Sequence, residues 1–296
     1  MTKTVLLTIG RLPKALDFAR SFYHADWRVL VGEPFKSHLT GASKCVAQSF
    51  VLPAPRAGKA AYLEALGALV DAQKVDLVLP LSEETMHVAH LQTQAQIYAP
   101  SPNTLLELHN KASFIALAQR LGLAVPETAL IGTPKATQIA AQHDYVIKPI
   151  YSCSGRGMSF HKQSSAIRAG TTSDPNEAAI VQQQLSGRQV STFGIAHQGK
   201  MLANVVYEGL IMSGSVAVAF TRIALAEVDS WVEQFVARTG HSGFISFDFV
   251  DEHGIARAIE CNPRVTSGVH FWKRRAWRKQ FCNPIRPNWP TNQPTA

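Results

Sequence analysis

The chain has 296 residues, of which 46% are hydrophobic and 17% charged, a composition typical of soluble globular proteins rather than disordered ones. No apolar run approaches the roughly 20 residues that span a bilayer, and the amino terminus lacks the apolar core of a signal peptide, so we expect no membrane association. Six cations and no acids lie beyond residue 272, and they account for most of the net charge of +8. We therefore expect no nucleic-acid partner for the body of the protein; the basic end either contacts RNA, DNA or anionic lipid or is a solvated tail.

The first hundred residues alternate between short apolar runs and helical periodicity. Strands are predicted at 5–9, 28–31 and 77–80, and helices begin at Pro13 and Lys59. Such alternation is typical of a doubly wound parallel α/β sheet, whose ligands bind beyond the carboxyl ends of the strands.

Two short segments are predicted to lie at that edge of the sheet. Gly10-Arg11 follows the first strand, but it does not form a Gly-x-Gly-x-x-Gly fingerprint, so we do not predict NAD binding. Glu83 and Glu84 follow the third strand, and either contact a substrate or begin a solvated helix.

A Pro-Ser-Pro-Asn turn at 100–103 indicates a domain boundary after residue 101. Beyond it, helices are predicted at 111–121 and 226–239, and two strands at 243–250 and 255–262. Residues 273–296 are basic and rich in proline, and we expect them to be disordered. The four cysteines form no Cys-x-x-Cys pair, which favours reduced thiols and a cytoplasmic location: Cys45, Cys153, Cys261 and Cys282.

One candidate phosphate site combines a strand-end lysine with a flexible loop. Lys148 closes the strand at 146–149, and the loop at 152–158 contains Ser154, Gly155 and Gly157. Glycines allow backbone N–H groups to approach phosphate oxygens, and lysine adds a compact positive charge. A surface hairpin with a flexible turn would give the same pattern, so this motif alone leaves both interpretations open.

A candidate metal site lies near the end of the predicted fold. Glu260 and Asn262 are two residues apart in a strand and therefore share a face. A three-residue loop ending at Gly254 would pair Asp248 with Ala258, which places Asp248 diagonally opposite Glu260 at about 7–8 Å between Cα atoms. Two carboxylates and an amide would then surround a magnesium ion.

Two other outcomes remain open for this hairpin. A two-residue loop would turn Asp248 to the opposite face of the sheet and separate it from Glu260. Alternatively, Asp248 is a structural acid that pairs with Arg257 or Arg264, because a buried carboxylate without a partner would be costly.

Taken in order, these segments resemble the ATP-grasp superfamily, most closely its carbamoyl-phosphate-synthase-like and amino-acid-ligase-like members. The resemblance runs from about residue 5 to residue 271. It depends on four motifs: Asn-Lys-x-x-Phe at 110–114, Ile-Lys-Pro at 147–149, Gln-Gln-Gln-Leu-Ser-Gly at 182–187, and Asp248 followed by Glu-x-Asn-Pro-Arg at 260–264.

The resemblance implies a pre-ATP-grasp α/β domain at 1–101 and a two-lobed α+β ATP-grasp domain at 102–272. It also implies roles for particular residues, as follows: Lys111 and Lys148 hold the nucleotide phosphates; Ser154, Gly155 and Gly157 belong to a loop that closes over them; Gln183, Gln184 and Leu185 meet the adenine; Gln189 binds the ribose; Asp248, Glu260 and Asn262 bind magnesium; and Arg264 contacts the transferred phosphate.

The activity implied is that of an ATP-dependent and Mg²⁺-dependent (or Mn²⁺-dependent) ligase. It would join a small-molecule carboxylate to an amine through an acyl phosphate. Gln183 and Gln189 stand where the family commonly has acids, and the end of the chain departs from the family pattern, which suggests an altered carboxyl terminus. The alternative is therefore an ATP-binding protein with little or no turnover. The sequence does not indicate an oligomeric state.

Overall fold

The computed structural model describes residues 2–152, 155–167, 178–214 and 216–272. Its helices are α1 (Pro13–Tyr23), α2 (Lys59–Ala72), α3 (Thr85–Val88), α4 (Pro102–His109), α5 (Lys111–Arg120), α6 (Pro134–Gln142) and α7 (Ala226–Thr239). Its strands are β1 (Thr4–Leu7), β2 (Arg28–Glu33), β3 (Gln48–Val51), β4 (Leu77–Leu79), β5 (Gln96–Ile97), β6 (Thr128–Leu130), β7 (Tyr145–Pro149), β8 (Ser159–His161), β9 (Ala179–Gln183), β10 (Arg188–His197), β11 (Lys200–Ser213), β12 (Val216–Ile223), β13 (Gly243–Glu252) and β14 (Ile255–Asn262).

The first sheet is parallel and has the strand order β3-β2-β1-β4-β5. Its central strands β1 and β4 are fully buried and apolar except for Thr4, which is typical of a sheet covered on both faces. The order reverses between β1 and β4, and a crevice forms at such a reversal, beyond the carboxyl ends of the strands. This confirms the predicted doubly wound fold.

Two antiparallel sheets follow. The smaller sheet has the order β6-β9-β7-β8, and the larger has the order β12-β11-β10-β13-β14. Residues 184–187 connect β9 of the smaller sheet to β10 of the larger one. Gly187 ends this connection, and a Cβ atom there would lie 2.2 Å from the Asp251 carbonyl oxygen, so the backbones approach too closely for any other residue.

The parallel sheet and the larger antiparallel sheet share one hydrophobic core. Helix α1 contributes Phe18, whose ring lies 5.7 Å from that of Phe244 in β13. Phe193 of β10 belongs to the same cluster and stacks on Phe244 at 5.7 Å. The smaller sheet instead packs on α6 in a separate cluster. The domain boundaries at residues 101 and 272 stay predictions.

A second core lies on the other face of the larger sheet, beneath α5 and α7. Phe247 and Phe249 of β13 pack there against Trp231 of α7 at 5.1 and 5.2 Å between ring centroids. Because side chains alternate along a strand, this packing turns Asp248 toward the opposite face. The aromatic core therefore fixes the direction in which that carboxylate points.

No helix in the described part of the chain has the length and apolarity that crossing a bilayer requires. Cys45 and Cys261 are buried free thiols, whereas Cys153 and Cys282 lie outside the described residues. The predicted basic tail, residues 273–296, also lies outside them.

His241 provides a test of the packing near the end of α7. It is 5% exposed, and burial lowers its pKa to about 4 from an ordinary 6.5. The unfolded chain therefore takes up this proton at higher pH than the folded chain. We expect the contribution of His241 to stability to be complete above pH 6.5 and to be lost as the pH falls to 4, by about 3 kcal/mol at most.

The variant His241→Gln stays neutral and should show a shallower fall in the free energy of unfolding across this pH window. Urea denaturation at stepped pH values measures both slopes. Because acidic side chains titrate in both proteins, the difference between the two curves isolates His241. Identical slopes would contradict the assignment.

Candidate functional site

The β13–β14 hairpin differs from its predicted register, but it still brings the candidate metal ligands together. Glu252 pairs with Ile255, so the loop has two residues, His253 and Gly254, both with positive φ. The predicted three-residue loop is therefore wrong, as is the predicted pairing of Asp248 with Ala258. A type I′ turn tolerates these φ values and matches the twist of the strands.

A β-bulge at Ile259 compensates for the shorter loop. Phe249 pairs with Ala258, whereas Asp248 pairs with Glu260, so Ile259 is an extra residue on β14. The bulge shifts the register by one residue and restores Asp248 to the face that carries Glu260. The two carboxylates are consequently direct cross-strand neighbours, closer than the predicted diagonal.

Asn262 completes the cluster of oxygen-bearing side chains. Its Nδ2 donates hydrogen bonds to Asp248 Oδ2 at 3.1 Å and to Glu260 Oε1 at 3.3 Å. Ser191 of β10 donates its hydroxyl to Asp248 Oδ1 at 2.6 Å. The described residues include no group of three or more His, Cys, Asp or Glu side chains suited to a metal, and this set has two carboxylates and one amide.

The two carboxyl groups have opposite ionisation tendencies. Burial raises the pKa of Asp248, and the neighbouring Glu260 charge raises it further. Burial also opposes ionisation of Glu260, but the ammonium groups of Lys111 and Lys148 outweigh that effect and lower its pKa. Negative charge thus settles first on Glu260, and a second charge on Asp248 is unfavourable unless a cation lies beside it.

Two buried lysines face this cluster. Lys111, the first residue of α5, lies with its Nζ 3.4 Å from Glu260 Oε2 and donates to Ser152 O at 2.8 Å. Lys148 Nζ donates to Gln182 Oε1 at 2.8 Å, and burial lowers its pKa to about 8. Both lysines are at most 4% exposed, so they supply positive charge largely removed from water.

Gln182 was not among the predicted site residues. Besides accepting from Lys148, its Nε2 donates to the Ile259 carbonyl at 3.5 Å and to Thr128 Oγ1 at 3.1 Å. It therefore joins the smaller sheet to the bulge on the larger one. Gln182 is the first residue of the Gln-Gln-Gln run and directly follows the buried apolar residues Ile180 and Val181 of β9, and this was the available signal for a buried polar side chain.

The described part of the predicted glycine loop, between β7 and β8, has backbone angles that favour glycine. Gly155 and Gly157 both have positive φ, and a Cβ atom on Gly157 would lie 2.8 Å from Pro149. Ser154 lies outside the described residues.

The connection from β9 to β10 carries the predicted adenine segment. The N–H groups of Gln183 and Gln184 donate to Glu127 O and Asp144 O, each at 2.8 Å, so neither is free for a ligand. Leu185 follows and is half-buried. Gln189 is exposed on β10, two residues from Ser191, and therefore lies on the face that carries Asp248.

Arg264 links the cluster to the parallel sheet. Its Nη2 donates to Asn262 Oδ1 at 3.1 Å and forms an ion pair with Glu83 Oε1 at 2.6 Å. Arg257 instead pairs with Glu252 at 3.1 Å. Within the described residues neither arginine forms an ion pair with Asp248. The structure therefore does not contain the alternative arrangement, in which Asp248 pairs with Arg257 or Arg264.

A profile described as the ATP-grasp domain matches residues 109–268, more than half of the chain. The chain belongs to the ATP-grasp family. The matched ATP-grasp region includes every residue predicted to contact the nucleotide, the metal or the transferred phosphate, from Lys111 to Arg264.

The carbamoyl phosphate synthase large chain of Deinococcus deserti is 27% identical over 197 residues, which cover 60% of this chain and 19% of that relative. The chain therefore spans about a fifth of the length of the curated relatives that it matches.

Solved structures share the ATP-grasp fold at low sequence identity. An L-amino acid ligase from Bacillus licheniformis aligns with a TM-score of 0.69 and 16% identity, over 90% of this chain and 68% of that one. The biotin carboxylase domain of Hydrogenobacter thermophilus 2-oxoglutarate carboxylase, solved with MgADP, ADP and bicarbonate, aligns with a TM-score of 0.70 and 12% identity, over 98% and 72% of the two chains. Together with the sheet topology, these likenesses confirm the predicted fold class.

Asp248 offers a direct test of the electrostatics of the site. Replacing it with Asn removes a buried charge beside Glu260 but keeps the side-chain shape. We expect Asp248→Asn to stabilise the metal-free protein at pH 8 by on the order of 1 kcal/mol. Chemical denaturation in EDTA measures this, and an equal or lower free energy of unfolding in the variant would contradict it.

Proposed function

We propose that the protein is an ATP-dependent and Mg²⁺-dependent ligase that joins a carboxylate to an amine. The observation that carries the proposal is the convergence of five side chains from helix α5 and both antiparallel sheets: Lys111, Lys148, Asp248, Glu260 and Asn262. Two buried cations and a set of oxygen ligands are what a triphosphate and its metal ion require.

Asp248, Glu260 and Asn262 fit a magnesium ion by their chemistry, because all three offer hard oxygen atoms. Asp248 and Glu260 repel each other when both are ionised, and a bound divalent cation would relieve that repulsion. Asn262 presently turns its Nδ2 toward the carboxylates, so its amide must rotate to offer Oδ1 instead. When bound, the ion would neutralise charge on the transferred phosphoryl group.

The remaining site residues position the nucleotide. Lys111 and Lys148 would hold its phosphates, and the loop with Ser154, Gly155 and Gly157 would close over them. The segment from Gln183 through Gln184 to Leu185 would border the adenine. Because the first two N–H groups are already bonded, Leu185 is the residue whose backbone would meet it. Gln189 would contact the ribose.

In the proposed reaction, a carboxylate oxygen attacks the γ-phosphorus, and the bond from that phosphorus to ADP breaks. The amine nitrogen then attacks the carbonyl carbon, the carbon–nitrogen bond forms, and the carbon–oxygen bond to phosphate breaks. Overall, ATP, a carboxylate and an ammonium ion yield an amide, ADP, hydrogen phosphate and one proton. Arg264 would bind the transferred phosphoryl group, so the chain supplies mainly positioning and positive charge.

Nucleotide binding can be tested without knowing the substrates. Mg²⁺ with ATP at about 100 times its dissociation constant should stabilise the protein by about 2.7 kcal/mol, measured as a rise in melting temperature. Glu260→Gln should abolish most of that rise by removing a ligand and a partner of Lys111. Glu64→Gln removes an exposed acid on α2 and should behave as wild type.

Turnover needs a second measurement. We expect ADP release above the ATP-alone background when Mg²⁺, ATP and pools of amino acids and small carboxylates are supplied, and none with Glu260→Gln. Thermal protection by ATP without ADP from any pool would contradict the ligase and leave the nucleotide-binding alternative. No protection by ATP would overturn both.

A further inference from the structure

A trough of about 470 Å³ runs across the carboxyl ends of the parallel sheet. The segments that follow β1, β2, β3 and β4 all line it, so it extends over four adjacent strands. Three strand spacings amount to about 14 Å, which makes the trough long rather than round. Its volume falls within the range of about 300–1,000 Å³ typical of ligand pockets.

Two buried carboxylates beside the trough, Glu33 and Glu84, accept hydrogen bonds from the surrounding loops. Glu33 accepts from the N–H groups of Gly10 and Arg11 at 2.8 and 3.0 Å. Glu84 accepts from the Thr8 hydroxyl at 2.9 Å and from the Leu81 N–H at 2.8 Å. Both oxygens of Glu33 are bonded, so it has little capacity for a ligand. The bonds to Glu84 all go to Oε1, so its Oε2 adds negative charge at the β4 end of the trough.

Glu83 differs from them because its side chain is 44% exposed and lines the trough. One of its oxygens bonds Arg264, and a carboxylate has capacity for further donors. Arg264 in turn bonds Asn262. The β4 end of the trough therefore lies one ion pair away from the proposed phosphoryl-transfer site, with a negative group presented to the ligand.

The opposite end of the trough is cationic. Arg56 follows β3, is exposed, and has no carboxylate within ion-pair distance among the described residues. Arg11, between the two ends, is 47% exposed and is partly neutralised by Glu33. Burial and the Lys59 charge lower the pKa of His87, so this lining residue adds no cation near neutral pH.

The walls between these ends are mainly apolar. Ile9 and Leu52 are buried beneath the trough, and Phe35 is exposed beside it, 5.5 Å from the Arg11 guanidinium. An apolar body would gain contact along these walls.

We propose that this trough binds the amine substrate as a zwitterion with an apolar body, its ammonium group at Glu83 and its carboxylate at Arg56. The assignment rests on the proposed ligase function, since it places the amine beside Arg264. A single amino acid cannot span both charged ends, because each residue extends about 3.5 Å. The substrate class is therefore a short apolar peptide or an amino acid with an equally long apolar chain.

Calorimetric titration of the full chain tests the proposal, with and without Mg²⁺ and ADP. The probes are leucyl-leucine, leucyl-leucyl-leucine, their amino-terminally acetylated forms, their carboxyl-terminal amides and triglycine. We expect at least one leucine peptide to bind, and its acetylated and amidated forms to bind about tenfold more weakly, because each lacks one charged contact. Triglycine should bind more weakly still.

Arg56→Gln should weaken the leucine peptide about tenfold but leave its amide unchanged. Lys44→Gln removes an exposed cation of the same α/β unit that does not line the trough, and should leave all affinities unchanged. Binding of neither leucine peptide under either condition, or equal binding of the blocked forms, would overturn the proposal.

The proposed function and this inference fail separately. ADP release with other amines, in the absence of peptide binding, would remove the zwitterion assignment and keep the ligase. Charge-dependent peptide binding without any ADP release would keep the zwitterion site and contradict the ligase.

Discussion

The β-bulge at Ile259 is the constraint on which the arrangement of the candidate site depends. Without it, the two-residue loop would direct Asp248 away from Glu260, and the two carboxylates would lie on opposite faces of the sheet. The same bulge presents the Ile259 carbonyl to Gln182, whose other end accepts from Lys148. One extra residue thus aligns the acids and ties the smaller sheet to them.

Packing on the reverse face of the sheet makes this arrangement rigid. Phe247 and Phe249 are anchored against Trp231, so Asp248 cannot rotate out of the site without disturbing the aromatic core. Burying the Asp248 carboxylate is unfavourable by itself, and the packing of the surrounding core offsets this loss of stability. For the proposed metal site, the two carboxylates are already adjacent and only the Asn262 amide has to rotate.

The sequence predicted the elements with strong periodicity and missed details set by distant contacts. Helix α7 and strand β14 have the predicted bounds, since their patterns are uninterrupted. The bulge was not predictable, because a turn ending in Gly254 suits either loop length and nothing local marks Ile259 as unpaired. The Glu83–Arg264 ion pair joins residues far apart in sequence, so only the fold brings them together.

The shared core between the parallel sheet and the larger antiparallel sheet has a practical consequence. A fragment beginning at residue 102 would contain the whole matched ATP-grasp region, yet it would expose Phe193 and Phe244 by removing the partner helix α1. Such a fragment would expose a contiguous apolar surface that is prone to self-association. Because the parallel sheet and the larger antiparallel sheet share this core, we expect the two parts of the chain to unfold together, although their sequences read as two modules.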